Sequence, residues 1–140
     1  MLSKIFVKNY ILIDELELDF ADGLNIITGE TGAGKSILIN AIDIAFGAKT
    51  GKEVIKNNAD KAIIELTLVN KKQNLSDLFE EYGIDNNGDE IILSREITQT
   101  GSRSRVNGCL VNQEFMRKFR ELFIDIHSQH QTYSFLQPKY

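Results

Sequence analysis

The chain has 140 residues, of which 42% are hydrophobic and 26% charged, with one cysteine, one proline and a formal net charge of -4. That length and balance suit one globular domain of common size; a lone Cys109 excludes a disulfide framework, and the negative total excludes a surface that attracts nucleic acid everywhere. No apolar run approaches the roughly 20 residues of a membrane helix, and the alternating start Met1-Leu2-Ser3-Lys4-Ile5-Phe6-Val7-Lys8 lacks the apolar core of a signal peptide, so a cytoplasmic protein with no membrane partner is expected.

Ile5 and Val7, then Leu16, Leu18 and Phe20 against Glu15, Glu17 and Asp19, alternate with period two. The pattern predicts two half-buried antiparallel strands joined between Asn9-Tyr10 and Asp14. Asp22-Gly23 reads as a turn, and Leu24-Asn25-Ile26-Ile27-Thr28 as a short strand entering a glycine-rich loop. From Lys35 the period becomes helical, with Ile37, Leu38, Ala41, Ile42 and Ala45 on one face and Gly47 as the stop. A polar stretch over residues 49–60 precedes a strand at 63–69. Leu75, Leu78, Phe79 and Tyr82 predict a short helix, Asn86-Asn87-Gly88-Asp89 a loop, and residues 91–97 another strand. Asn107-Gly108 tolerates the positive φ angles of a type I′ turn, so residues 105–111 are expected to form a tight hairpin. Asn112 is placed to cap a helix carrying Phe115, Met116, Phe119 and Leu122 on one face. Phe123-Ile124-Asp125-Ile126 reads as a final buried strand, followed by the polar His127-Ser128-Gln129-His130-Gln131.

Gly29-Glu30-Thr31-Gly32-Ala33-Gly34-Lys35-Ser36 matches G-x-x-x-x-G-K-[ST] in full, between an apolar run and an amphipathic helix. Gly29, Gly32 and Gly34 let the backbone wrap closely with its N–H groups inward. The helix that follows points its positive end at a bound anion. Lys35 can reach the β- and γ-phosphates, and the Ser36 hydroxyl can ligate Mg²⁺. The glycine spacing differs from the dinucleotide fingerprint. The loop points to a nucleoside triphosphate and leaves the use of its energy open. Hydrolysis also requires a second carboxylate site for the metal and a group that orients water. The apolar run that ends in an acid after the loop is Leu122-Phe123-Ile124-Asp125, and nothing acidic follows it. Asp125 reads either as a Walker B carboxylate or as a polar residue at a strand end.

The phosphate loop through Ile37 resembles that of RecN-type DNA-repair ATPases, relatives of the SMC proteins. Phe6-Val7-Lys8-Asn9-Tyr10 with Leu18-Asp19-Phe20 resembles the first strands of such heads. Ser102-Arg103-Ser104-Arg105-Val106-Asn107-Gly108 is similar to the SMC-type hairpin S-x-x-R-[IV]-N-G. Asp125-Ile126-His127-Ser128-Gln129-His130-Gln131 resembles the segment D-[IV]-H-G-Q-H, with Ser128 in place of the usual glycine. The resemblance covers essentially the whole chain. It implies an α/β fold, that of a P-loop NTPase: an ABC/SMC-type head whose N-terminal lobe carries an antiparallel β-subdomain. It implies ATP and Mg²⁺ as cofactors, held at Gly29, Glu30, Thr31, Gly32, Ala33, Gly34, Lys35 and Ser36, with Asn9 near the ribose or base. It makes Gln129 the Q-loop glutamine that meets Mg²⁺ and the attacking water, and Asp125 the end of the strand that delivers it. It also implies work on DNA double-strand breaks and recombination, at the nucleoid.

The chain holds no L-S-G-G signature, no apolar run followed by Asp-Glu and no heptad region. On the resemblance, residues 1–140 are the N-terminal part of a split head that turns over ATP negligibly by itself. Its partners are then the C-terminal half of the same head, a second head in a homodimer, and DNA. Two other classes stay open on the residues alone: a small-molecule P-loop kinase, which would need lid arginines, and a non-catalytic module that binds nucleotide to gate dimerisation. His127 and His130 lack a third ligand nearby and are expected to position their segment rather than bind zinc. Arg95, Arg103 and Arg105, on or beside the hairpin, are expected to form a solvated sheet face, the alternative being DNA phosphate contact. Lys49, Lys52 and Lys56 follow the phosphate-loop helix, where the resemblance implies a basic DNA-sensing residue. Phe115, Met116, Phe119 and Phe123 are expected in the core, and Cys109, without a base beside it, as a bystander.

Overall fold

The computed structural model describes residues 2–20, 32–69, 75–85 and 88–127, with the backbone alone for 32–35 and 124–127. Strand β1 (Leu2–Tyr10) pairs antiparallel with β2 (Ile13–Asp19), Ile5 opposite Leu18 and Val7 opposite Leu16. Strands β3 (Lys61–Val69), β4 (Glu90–Thr98), β5 (Gly101–Val106) and β6 (Cys109–Val111) complete a sheet of order β2-β1-β3-β4-β5-β6, antiparallel throughout. Among the described residues three helices accompany it: α1 (Gly32–Ala45), α2 (Ser76–Glu81) and α3 (Gln113–His127). A 3-10 turn spans Lys52–Val54.

Period-two alternation gives the sheet one buried face. Ile5 and Val7, then Ala62, Ile64, Leu66 and Leu68, then Ile91, Leu93 and Ile97, and finally Val106, are all buried. Helix α1 packs on β3 and β4 and contributes the buried Leu38, Ala41, Ile42 and Ala45. The β5–β6 connection is the expected tight turn: Asn107 and Gly108 have φ of 51° and 85°. The Asn107 side chain locks it, accepting from the Ile92 N–H at 2.9 Å and donating to the Asp85 carbonyl at 2.7 Å. Helix α3 starts where expected, with Asn112 Oδ1 accepting from the Phe115 N–H at 2.8 Å.

The strand expected at residues 122–126 is not formed; those residues continue α3. Phe115, Phe119 and Phe123 are fully buried, and successive ring centroids are 5.9 and 5.8 Å apart. Phe46 lies 6.1 Å from Phe119 and 5.7 Å from Phe123, and Phe79 lies 6.3 Å from Phe119. Residues four apart share a face on a strand as well as on a helix, but a strand would hold them roughly 13 Å apart, so rings this close require a helix. That aromatic packing outweighs the strand preference of Ile124 and Ile126. Asp125 therefore sits in the last turn of a helix, so neither a Walker B strand end nor a strand delivering Gln129 is present there. Gln129 and His130, the Asp22-Gly23 turn, the strand expected at 24–28 and the Asn86-Asn87 part of the loop lie outside the described residues.

Candidate nucleotide site

Helix α1 begins at Gly32, inside the G-x-x-x-x-G-K-S motif, three residues earlier than its apolar periodicity predicts. The first four N–H groups of a helix have no partner within it, and its N-terminus carries about half a positive charge. In α1 those donors belong to the motif itself, and no acidic residue occupies the first turn. The arrangement favours an anion at this end and offers it no internal competitor. Ser36 is exposed, one turn into the helix. Gly29, Glu30 and Thr31 lie outside the described residues, and Gly32, Ala33, Gly34 and Lys35 are placed by their backbone. A triphosphate with Mg²⁺ suits the donors described here: the backbone N–H groups of the first turn and a hydroxyl, with no acidic residue in that turn.

The other end of α1 is fastened twice. Gly47 has φ 109°; its N–H donates to the Ile44 carbonyl at 3.0 Å, and the Ala48 N–H donates to the Asp43 carbonyl at 3.0 Å. This is the Schellman closure, in which a glycine takes the conformation other residues avoid. Arg95 then reaches in from β4. Its Nη1 donates to the Ile44 carbonyl at 2.6 Å and the Ala48 carbonyl at 2.7 Å. Its Nε and Nη2 donate to Ser102 Oγ at 3.3 and 3.0 Å. Arg95 is only 4% exposed, and burial pushes its guanidinium below the ordinary arginine value.

This corrects the expectation of a solvated face at Arg95. The signal was in the strand period: Ile91, Leu93 and Ile97 share Arg95's parity along β4 and are buried, so alternation already sends Arg95 inward. Arg103 and Arg105 have the opposite parity to Ser102 and lie opposite Glu96 and Ser94; Arg103 is exposed and Arg105 half-buried. The Glu96 carboxyl is held below the usual carboxylate range, first by a hydrogen bond from Lys61 at 2.8 Å, partly opposed by burial, with Arg105 and Arg103 adding to the effect.

Asn9 ends near the β1–β2 turn with φ 54°, its carbonyl accepting from the Lys56 N–H at 2.9 Å. Its neighbour Tyr10 is fully buried, and burial followed by the nearby Asp43 pushes its phenol upward. Asp43 is seven positions beyond Ser36, roughly 10 Å along a helix that rises 1.5 Å per residue. Tyr10 thus serves the rear half of α1, and no described contact joins Asn9 to Ser36. Of the basic residues after α1, Lys56 pairs with Asp14 at 3.1 Å, and Lys49 and Lys52 are exposed. His127 closes α3. Among the described residues no group of three or more His, Cys, Asp or Glu side chains is arranged to hold a metal ion, and no helix is long and apolar enough to cross a membrane.

The comparisons with known proteins agree with this architecture. The family model described as an AAA domain matches residues 4–137. The DNA repair protein RecN of Synechocystis sp. is 39% identical over 143 residues, covering 99% of this chain and 24% of that protein. The DNA repair protein RecN of Bacillus subtilis is 39% identical over 132 residues, covering 93% of this chain and 23% of that protein. The chain therefore spans about a quarter of the length of these curated relatives. A solved structure from work on ATP-driven dimerization and DNA-stimulated activation of SMC ATPases superposes with a TM-score of 0.65 at 20% identity, covering 86% of this chain and 78% of that one. The fold is accordingly that of a P-loop NTPase of the SMC-head type. Because the family match runs from the first strand to beyond α3, the chain belongs to the AAA domain family.

Proposed function

We propose that this chain is the ATP-binding, N-terminal part of a RecN-like, SMC-type ATPase head that acts in DNA double-strand-break repair and recombination. The observation that carries the reading is the G-x-x-x-x-G-K-S match in the sequence, whose last five residues open α1. Supporting it are the RecN relatives at 39% identity and the SMC-type fold.

In this reading the backbone of residues 29–36 cradles the triphosphate, Lys35 neutralises charge on the β- and γ-phosphates, and the Ser36 hydroxyl holds Mg²⁺. Bound Mg²⁺ supplies charge neutralisation at the phosphates. Gln129 offers an amide oxygen to the metal or to the attacking water. Asn9 lies toward the ribose or base. The acidic pair and signature loop come from the C-terminal half of the head, and a second head completes the site. DNA is the partner of the whole protein, which works in the cytoplasm at the nucleoid.

The test is ATP turnover by two proteins: the 140-residue chain, and a full-length protein that carries it. The chain alone should turn over ATP negligibly. In the full-length protein Gln129→Ala should keep nucleotide binding and slow hydrolysis by at least about tenfold, the scale of losing one transition-state hydrogen bond. Steady turnover by the chain alone, abolished by Lys35→Ala, would contradict the split-head reading.

A further inference from the structure

Arg95 is the one charged side chain in the buried core of the described residues. Burying a charge costs several kcal/mol unless hydrogen bonds compensate it. Its partners here are two carbonyls and a hydroxyl, none of them a carboxylate. The compensating charge is the C-terminal end of α1, which carries about half a negative charge. A methionine would fill the same space without that cost, and a lysine would deliver its charge to one point. The planar fork does something neither can: it spans two backbone carbonyls on one side and Ser102 on the other.

The two ends of this brace differ in kind. One end is the last turn of the helix whose first turn holds the phosphate motif, a rigid rod of 14 residues, about 21 Å at 1.5 Å per residue. The other end is an open edge. Strand β6 pairs only with Ser104, Arg105 and Val106, so among the described residues no strand covers that side of Gly101, Ser102 and Arg103. A groove of about 560 Å³ lies there, lined in part by Ser102, Arg103, Asn112 and Met116. Met116 also approaches Gly47, the closing residue of α1: a Cβ at that glycine would stand 3.5 Å from the Met116 Cβ.

We propose that Arg95 is a positioning residue for the nucleotide site: it seats α1 against the β4–β5 hairpin, so that the placement of the phosphate-binding turn depends on the engagement of Ser102 at the open edge. The inference rests on the nucleotide reading above. Small displacements of a positioned group cost large factors in binding and chemistry, and a rigid helix transmits them from its rear turn to its front.

The experiment is titration of the 140-residue chain with Mg-ATP, at a temperature where each variant is folded, alongside thermal melts. Arg95→Met should weaken Mg-ATP about tenfold, and Ser102→Ala by about threefold, each measured on the folded protein. Arg95→Lys should fall between wild type and Arg95→Met. Adding Ser102→Ala to Arg95→Met should change nothing further, because the brace is already gone. A purely structural arginine would lower the melting temperature and leave the affinity of the folded protein alone. If Arg95→Met does not fold, Ser102→Ala and Arg95→Lys decide the matter. Affinities within twofold of wild type in the folded Arg95 and Ser102 variants, while Lys35→Ala still abolishes binding, would overturn this proposal alone. Loss of the Lys35 dependence itself would overturn the nucleotide reading beneath it.

Discussion

The Phe123 ring lies 5.7 Å, centroid to centroid, from that of Phe46. One residue belongs to the penultimate turn of α3, and the other follows directly on the last residue of α1. The residue that follows α1 and the later turns of α3 are thus parts of one aromatic cluster. That cluster decides that residues 122–126 are helical.

Phe123→Ala should therefore destabilise the domain by about 3–5 kcal/mol, the range for a buried phenylalanine. Denaturant unfolding with far-ultraviolet circular dichroism checks it, and helical signal should be lost together with stability. A change below about 1 kcal/mol would mean that the ring is not packed as described.

Gly47→Ala tests the fastening of α1. The backbone there has φ 109°, and among the described residues a side chain would meet the Met116 Cβ at 3.5 Å, an ordinary contact. Any cost is then conformational rather than steric. We expect about 1–3 kcal/mol of lost stability, seen as a lower melting temperature, whereas Gly101→Ala, with no positive φ and open space around it, should cost less.

The sequence made several of these features legible because each rests on short-range chemistry. Asn107-Gly108 announces a turn that only positive φ angles can make, and Asn112 announces a helix start. The phosphate motif is a local pattern whose helix begins inside it. Arg95 and residues 122–126 depart from the local pattern for a shared reason: each is decided by what lies across the core. Charge suggested solvent for Arg95, although strand parity pointed inward, and the carbonyls that receive it come from residues 44 and 48. Two isoleucines suggested a strand after Phe123, although Phe115, Phe119 and Phe123 already kept a helical interval. Nothing in the local sequence shows that Phe46 and Phe79 supply the surface those rings need.

Asp43 gives a pH test whose sign is opposite to that of a paired carboxylate. Burial raises its carboxyl above the usual value, and Arg120 opposes this in part. A raised folded-state value means that the contribution to stability is fully present below the unfolded value, about 3.9, and is lost as pH rises through the folded value. At pH 7 the ionised carboxylate is therefore a burden. Asp43→Asn should melt higher than wild type at pH 7, and the gap should close toward pH 3. A lower melting temperature for Asp43→Asn at pH 7 would mean that attraction to Arg120 outweighs burial.

On the proposed function, residues 29–36 hold a nucleoside triphosphate. Calorimetric titration of Mg-ATP into the 140-residue chain tests it most directly. Saturable binding with one site per chain is expected, weakened at least about tenfold in Lys35→Ala while the melting temperature of the free protein is unchanged. Absence of binding by the folded wild-type chain, or equal affinity in Lys35→Ala, would contradict it.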